Sequence, residues 1–269
     1  MLMSARGLLT FLAENSPKPI YQASIGGAEA RLELAGDYQK KQVNILNGRE
    51  LQESFSIDKQ GFSLINHTTT VENLYDAGSG RKKYEAECKE IVINATGADS
   101  AYVFDHTFRS GDSKLREQKL SREPTTVIHN DYTPNSAPKR LRDFMGSDTQ
   151  KLIEQPFCII NIWRPIKEVK SFPLAVCDAQ SVSSENLVCA ERKSKDRIGE
   201  IFVVRFNPHQ RWIYFPNMNP DEILLIKTYD SREDGRARWC VHTAFDTEGS
   251  DANVAPRESV ESRIFAFGV

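Results

Sequence analysis

The sequence predicts a mainly β protein with flanking helices and a double-stranded β-helix, or jelly-roll, core. From about residue 100 onward, short runs of β-branched and aromatic residues alternate with clusters of Pro, Asn, Asp and Gly, as strand-and-turn architecture requires. Roughly eight or nine such runs follow a helical and irregular N-terminal region of residues 1–99, an order that fits a double-sheet jelly roll. We therefore expect a single domain over residues 1–269, with its jelly-roll core in residues 100–269.

The N-terminal region is expected to hold two helices. The apolar run at residues 7–13 is too short for a secretion signal and is interpreted as the apolar face of a first helix. Residues 17–52 mix Pro, glycine pairs and short apolar runs, which indicates irregular structure with room for a hairpin. Residues 82–97 predict the clearest helix, because Tyr84, Cys88 and Ile91 recur on one helical face.

The predicted core strands share a high content of β-branched or aromatic residues and cover residues 101–104, 125–128, 157–163, 174–176, 201–206, 211–215, 222–229, 238–245 and 263–267. One helix is predicted after Pro138 and ends at Gly146. The basic stretch at residues 191–197 is interpreted as a solvated loop. An immunoglobulin-type sandwich is the alternative architecture, but it does not explain where the histidines and the arginine described below fall.

Composition narrows the class of partner and the compartment. A formal net charge of -2 argues against broad neutralisation of phosphates, so nucleic acid is not an expected partner. No run is long and apolar enough to span a membrane. The five cysteines are scattered and form no CxxC pair, which indicates buried thiols in a reducing compartment and hence a cytoplasmic protein.

Three residues have the types and positions of metal ligands. His129 and Asp131 form an H-x-D pair directly after a predicted strand, and residues i and i+2 of an extended chain lie on the same side. His242 lies inside another predicted strand and can supply a third ligand. Two imidazoles and one carboxylate on one face leave three positions open on a metal, which is the arrangement of iron(II) oxygenases.

Each of these ligands has a plain structural alternative. An H-x-D pair is a weak signal by itself, because composition alone produces it often. His129 and Asp131 also fit a turn before Thr133-Pro134, and His242 also fits a half-buried strand histidine with a satisfied hydrogen bond. The combination and order of the residues favour the metal site.

A fourth residue extends the prediction from a metal to a co-substrate. Arg257 and Ser259 form an R-x-S pair at the approach to the last predicted strand, so both face the same way. A guanidinium fork with one added hydroxyl suits the distal carboxylate of 2-oxoglutarate, whose 2-oxo acid end chelates iron. The alternative is a surface arginine paired with Glu258 or Glu261, and Arg263 is a weaker competitor for the same role.

Three further polar residues are assigned to the pocket. Asn161 and Tyr214 lie in predicted strands and are candidate contacts of 2-oxoglutarate, although a purely structural role is equally expected for both. Arg164 follows Asn161 in the same strand and is a candidate contact of an acidic group on the substrate.

Several segments resemble a known family: HNDYTPNSAP, FCIINIWRPI, PLAVCDAQSV, RWIYFPNMNPDEILLIKTYDS, and HTAFD followed by PRESVESR. From about residue 62 to the C-terminus the chain is similar to the fungal hydroxylase/desaturase group, which is related to the cephalosporin 7-alpha-methoxylase-like and gibberellin desaturase-like proteins. The resemblance implies an iron(II)/2-oxoglutarate-dependent oxygenase of secondary metabolism with a jelly-roll core. It also implies that His129, Asp131 and His242 bind iron and that Arg257 binds the co-substrate.

The predicted function is hydroxylation, desaturation or cyclisation of a small secondary-metabolite intermediate at a C–H bond. Dioxygen is consumed, and 2-oxoglutarate is converted to succinate and carbon dioxide. Two alternatives stay open: a non-catalytic jelly-roll binding protein, and a cupin-type metal dioxygenase that does not use 2-oxoglutarate. A hydrolase is not expected, because the sequence has no G-x-S-x-G motif and no Ser or Cys convincingly paired with a base.

Overall fold

Two β-sheets packed face to face form the core of the protein. A computed structural model describes residues 4–146, 149–194, 197–246 and 254–269. The larger sheet consists, in spatial order, of β1 (Ser4–Leu12), β4 (Tyr38–Asn47), β12 (Trp212–Tyr214), β9 (Leu174–Cys177), β14 (His242–Ala244), β7 (His129–Asn130), β11 (Arg197–Val204), β10 (Leu187–Ser194), β2 (Ile20–Gln22) and β3 (Glu33–Ala35). The smaller sheet consists of β5 (Phe62–Asn66), β13 (Glu222–Asp230), β8 (Phe157–Pro165), β15 (Glu258–Phe267) and β6 (Ser100–Ser110).

Four α-helices flank the sheets within the described ranges: α1 (Ser79–Thr96), α2 (Ser113–Lys119), α3 (Ser136–Met145) and α4 (Thr149–Ile153). The helix predicted at residues 82–97 is confirmed as α1, which ends where Gly97 adopts φ 73° and donates its N–H to the carbonyl of Ile93. The helix predicted near Pro138 is confirmed as α3. No helix in these ranges combines the length and the apolar character needed to cross a membrane.

The central strand β8 shows how the smaller sheet divides its residues between two faces. Ile160 and Ile162 point outward and pack under α1, in a cluster that includes Cys88 and Val92. Trp163 points inward and packs against apolar residues of the larger sheet such as Val176. This alternation leaves Asn161, two residues before Trp163, facing the space between the sheets.

The structure corrects the prediction for the N-terminal region. Residues 7–13, predicted as a helix, lie mostly in β1, which pairs with β4 over nine positions from Ser4 to Leu12. Gly7, Leu9 and Phe11 are buried, whereas Leu8 is exposed and Thr10 is half-buried, which is the two-residue period of a strand. The helical and irregular description of residues 1–99 is therefore wrong for β1, β4 and β5 and right for α1. The hairpin allowed within residues 17–52 is present as the antiparallel pair of β2 and β3.

Three core predictions also shift. The strand predicted at residues 125–128 contains only an isolated bridge at Val127, and regular pairing begins at His129. The strand predicted at residues 238–245 shortens to β14. The stretch at residues 191–197, predicted as a solvated loop, belongs to the paired strands β10 and β11 up to Ser194 and from Arg197, while Lys195 and Asp196 lie outside the described residues.

Candidate metal and co-substrate site

Neighbouring strands bring the two predicted histidine ligands together. His242 of β14 is paired directly with His129 of β7, and their ring centroids are 4.7 Å apart. Asp131 comes directly after β7, two residues beyond His129. Each of the three side chains offers one ligand atom, and these atoms all lie within 4.8 Å of one another. The predicted triad is therefore assembled in the fold.

Backbone carbonyls orient both imidazoles. Nδ1 of His129 lies 2.8 Å from the carbonyl oxygen of Val127, and Nδ1 of His242 lies 3.0 Å from that of Cys240. A carbonyl oxygen only accepts, so Nδ1 carries the hydrogen and the lone pair is on Nε2. Nε2 of His242 is buried and has no hydrogen-bond partner among the described residues, as expected of an atom reserved for a metal.

The charge of the triad also fits a divalent metal. Burial, and next the proximity of His242, lowers the pKa of His129 to about 3, so the imidazole is neutral and able to ligate. Burial raises the pKa of the Asp131 carboxyl, but Arg263 and the two histidines outweigh this, and the net pKa lies well below its usual value. Two imidazoles and one carboxylate are the donor set of a non-haem iron(II) site.

Two side chains hold the Asp131 carboxylate in place. Its Oδ2 accepts hydrogen bonds from Nε of Arg263 and from Nδ2 of Asn161, both at 2.7 Å. Asn161 also accepts at Oδ1 from the hydroxyl of Thr228, at 3.3 Å, which fixes its amide orientation. Oδ1 of Asp131 lies 3.8 Å from Nε2 of His129, on the side of the histidines. Asn161 thus contacts a metal ligand, whereas it was predicted to contact the co-substrate.

Arg257 lies beside the histidines in a state that favours an incoming anion. Its guanidinium is 5.5 Å from the centre of the Trp163 ring, and Nη1 donates to the carbonyl of Phe172 at 2.7 Å. Nε is buried without a partner among the described residues. Burial, and next Arg109, lowers the pKa of Arg257 to about 9, although Glu261 opposes the shift. One cavity is lined by residues that include Arg257, Trp163, Leu174, His129 and His242.

Arg263, the weaker competitor, is already neutralised. It forms ion pairs with Asp131 and Asp105, both at 2.7 Å, and a third with Glu261. Arg257 has no ion pair within the described residues. Of Arg257 and Arg263, Arg257 is therefore the one whose guanidinium can bind a carboxylate of a ligand.

The surface alternative for Arg257 is wrong, because the residue is only 2% exposed. The two carboxylates named for that alternative are bound elsewhere, Glu258 by Lys167 and Glu261 by Arg263. Ser259 shares the inward face of β15 with Glu261 and is also buried, as the R-x-S spacing predicts.

Comparisons with known proteins identify the family. A family model described as an oxidoreductase/YMDC permease-like domain matches residues 9–267. The hydroxylase/desaturase efuI of Hormonema carpetanum is 32% identical over 254 residues, which cover 86% of this chain and 84% of that protein. The hydroxylase/desaturase CTB9 of Cercospora beticola is 31% identical over 252 residues, which cover 86% and 77%. The chain belongs to the fungal hydroxylase/desaturase family.

Relatives with iron and 2-oxoglutarate in their names support the same assignment. The Fe(II)/2-oxoglutarate-dependent dioxygenase nvfI of Aspergillus novofumigatus is 28% identical over 234 residues, which cover 84% of this chain and 83% of that protein. A solved structure of the iron and alpha-ketoglutarate-dependent endoperoxidase NvfI superposes with a TM-score of 0.85 over 98% of both chains, at 23% identity. This likeness confirms the jelly-roll fold. The predicted family and enzyme class are also confirmed.

Two residues predicted for the pocket of this family member lie away from it. Tyr214 of β12 is paired with Ala175 of β9, which is paired in turn with Thr243 of β14. Tyr214 therefore lies on the same outer face of the larger sheet as Thr243, whereas the neighbouring His242 faces inward. The Tyr214 ring packs against Phe245. The structure therefore does not bring Tyr214 to the co-substrate.

Arg164 lies on the outer face of the smaller sheet. Its guanidinium donates to the carbonyl oxygens of His67 and Pro220 at 2.8 and 2.7 Å and lies over the ring of Tyr84 in α1. Arg164 is three residues from Asn161, and an odd separation on one strand places two side chains on opposite faces. The predicted contact between Arg164 and the substrate is therefore wrong, and its role is to tie α1 to the sheet.

Sequence reasoning missed the arginines that surround Asp131. Arg263 was named only as a rival of Arg257, and four others line a cavity beside the carboxylate: Arg122, Arg140, Arg192 and Arg197. The basic composition of residues 191–197 is a signal for Arg192 and Arg197 only. That composition also fits a solvated loop, and the pairing of β10 with β11 that brings these two arginines to the cavity depends on tertiary structure.

Proposed function

We propose that this chain is an iron(II)- and 2-oxoglutarate-dependent oxygenase that hydroxylates, desaturates or cyclises a small secondary-metabolite intermediate at a C–H bond. The observation that carries the proposal is the cavity that Arg257 shares with His129 and His242. A buried guanidinium that forms no ion pair within the described residues, placed beside two histidines and one carboxylate, suits a molecule with a chelating end and a carboxylate end.

His129, Asp131 and His242 would hold the metal. When bound, iron(II) supplies coordination of the 2-oxo acid and activation of dioxygen, with 2-oxoglutarate converted to succinate and carbon dioxide. The protein supplies the geometry. The carbonyls of Val127 and Cys240 hold both Nε2 lone pairs toward the site.

The remaining contacts position the carboxylates. Asn161 and Arg263 donate hydrogen bonds to Oδ2 of Asp131, and Oδ1 faces the histidines. Arg257, with Ser259 on the same face, would bind the distal carboxylate of 2-oxoglutarate. The rings of Trp163 and the side chain of Leu174 line the same cavity and give it apolar walls.

Steady-state kinetics of 2-oxoglutarate consumption test the proposal. Replacing Arg257 with Ala removes a charge-assisted contact worth about 1.5–3 kcal/mol, so KM for 2-oxoglutarate should rise roughly tenfold to a hundredfold. Arg31→Ala is the control, because Arg31 is exposed and precedes β3 at the far edge of the larger sheet. An unchanged KM in the Arg257 variant would show that the co-substrate is held elsewhere.

Product analysis separates the alternatives. An oxygenase of the proposed type forms succinate in step with the oxidised product. A cupin-type dioxygenase forms its product with no succinate, and a binding protein forms neither.

We also propose that the chain acts as one domain in the cytoplasm. The pairing of β1 with β4, and of β4 with β12, supports the first point, since it joins the N-terminal strands to the core sheet. The five cysteines support the second, because all are free thiols and four of them are buried.

A further inference from the structure

A second cavity, of about 240 Å³, lies beside Asp131. We call it the arginine cavity, because its lining includes Arg122, Arg140, Arg192, Arg197 and Arg263. The lining also contains two aspartates, Asp105 and Asp131, so arginines exceed acidic residues by three. An excess of this size in a cleft is a feature that binds anions.

Only one of these five arginines is ion-paired within the described residues. Arg263 is paired with both aspartates of the lining. The other four form no ion pair with a carboxylate of any described residue. Arg140 is held over the ring of Phe104, at 5.2 Å from its centre, and its Nε is buried without a hydrogen-bond partner in the described part of the chain. The free guanidinium groups thus remain available to a ligand.

The four free arginines come from separate elements. Arg122 follows α2, Arg140 lies in α3, Arg192 in β10 and Arg197 in β11. A local run of charge on one exposed face would not converge in this way. Burial lowers the pKa of Arg122, as do Arg109 and Arg192, and burial with Arg140 and Arg192 does the same for Arg197. The fold therefore keeps these cations together despite their mutual repulsion.

The arginine cavity is continuous with the metal site but distinct from the Arg257 cavity. A third cavity has Arg122, Arg192 and Arg263 in common with the arginine cavity and includes both His129 and Asp131. Arg257 lines neither of them; its own cavity meets the site at His129 and His242. A molecule in the arginine cavity can thus approach the triad while 2-oxoglutarate occupies the Arg257 cavity.

We propose that the arginine cavity binds the substrate, and that this substrate is a small organic acid with two or three carboxylates. Its carboxylates pair with Arg122, Arg140, Arg192 and Arg197, and its reacting carbon lies toward Asp131 and the histidines. Guanidinium groups bind carboxylates through paired hydrogen bonds, which fix the orientation of a molecule as well as its position. The assignment of this anion as substrate rests on the proposed oxygenase function; the anion site does not.

Calorimetric titration of the protein loaded anaerobically with iron(II) and 2-oxoglutarate tests the proposal. The probes are tricarballylate, benzene-1,3,5-tricarboxylate and the trimethyl ester of tricarballylate. At least one triacid should bind while the ester does not, and Arg192→Gln and Arg197→Gln should each raise its Kd about tenfold, the effect of losing one charged hydrogen bond. Arg6→Gln, which changes an exposed residue of edge strand β1, should leave the Kd unchanged.

Thermal unfolding of the same variants gives a second readout. Because like charges repel in the empty cavity, Arg197→Gln should raise the Tm of the unliganded protein by a degree or more, and the triacid should then stabilise it less than it stabilises the wild type. Equal Kd values in the wild type and both variants, or binding by no triacid, would overturn the proposal. So would a rise in the Kd of 2-oxoglutarate in place of that of the triacid, because the arginines would then serve the co-substrate.

The two proposals fail separately. If the triacid binds and is lost in the variants but the wild type forms no complex with iron(II) and 2-oxoglutarate, the anion site stands and the oxygenase function fails. If that complex forms and no triacid binds, the oxygenase function stands and the organic-acid substrate fails.

Discussion

Arg263 is bound by three carboxylates, and one of them, Asp131, is a candidate metal ligand. Arg263→Gln removes the 2.7 Å ion pair on Oδ2 of Asp131 and leaves Asn161 as the other donor to that oxygen within the described residues. Loss of a side chain that orients a metal ligand typically weakens metal binding roughly 10–100-fold. We expect a loss of that size in the iron(II) affinity of the variant.

The pH dependence of this loss follows from the pKa of Asp131. Arg263 is the strongest of the groups that hold this pKa well below its usual value, against the opposing effect of burial. Without Arg263 the pKa rises, the carboxyl takes up a proton at a higher pH, and a protonated carboxyl does not ligate. The deficit of the variant should therefore grow as the pH is lowered from 7 toward 5.

Anaerobic titration with iron(II) at several pH values measures the effect, and circular dichroism checks that the variant is folded. Removing one partner of a buried ion pair also costs about 3–5 kcal/mol of stability, so Arg263→Lys, which keeps the charge, is the matched control. A folded Arg263→Gln protein with the iron affinity of the wild type at both ends of the pH range would refute the positioning role of Arg263.

Three further outcomes follow from the structure. Burial lowers the pKa of His129 from 6.5 to about 3, so the unfolding free energy of the metal-free protein should fall as the pH drops between these values, by up to about 1.4 kcal/mol per pH unit. Chemical denaturation at several pH values measures this slope, and His129→Asn should reduce it. Arg164→Leu should cost about 3 kcal/mol of stability, because two partly buried carbonyls lose their donor, while KM for 2-oxoglutarate stays the same. Tyr214→Phe should alter neither iron(II) affinity nor KM, and a change in either would place its ring in the site.

The ligands were predictable because their signal is local. His129 and Asp131 are two residues apart on an extended segment, and that spacing alone puts them on one face. Direct pairing of His129 with His242 required the strand order β9-β14-β7, which no local pattern contains. The order of the residues along the chain indicated that the strands of His129 and His242 lie near each other, but only the fold shows that the two strands are direct neighbours.

The errors have equally specific causes. Asn161 and Arg164 were placed in one pocket although three residues separate them, and strict alternation would have put them on opposite faces. For Tyr214 the alternation of residues along β12 does not tell which face is inward, because both faces of this strand pack against apolar residues. The seven-residue run at residues 7–13 is too short to separate a helical from a strand period, and pairing with β4 decided its structure.

The arginine cavity lies beyond local patterns for another reason. Its four free arginines come from one loop, one helix and two strands, and each reads as an ordinary surface cation in the sequence. Only their convergence beside Asp131 distinguishes them.

The central claim is that His129, Asp131 and His242 bind iron(II) with Arg257 holding 2-oxoglutarate beside them. Anaerobic addition of iron(II) and 2-oxoglutarate should produce a weak visible charge-transfer band in the wild type and in His209→Ala, whose histidine is exposed in a turn. The band should be absent from His129→Ala and His242→Ala, and Arg257→Ala should require far more 2-oxoglutarate to form it. An undiminished band in either triad variant would contradict the ligand assignment.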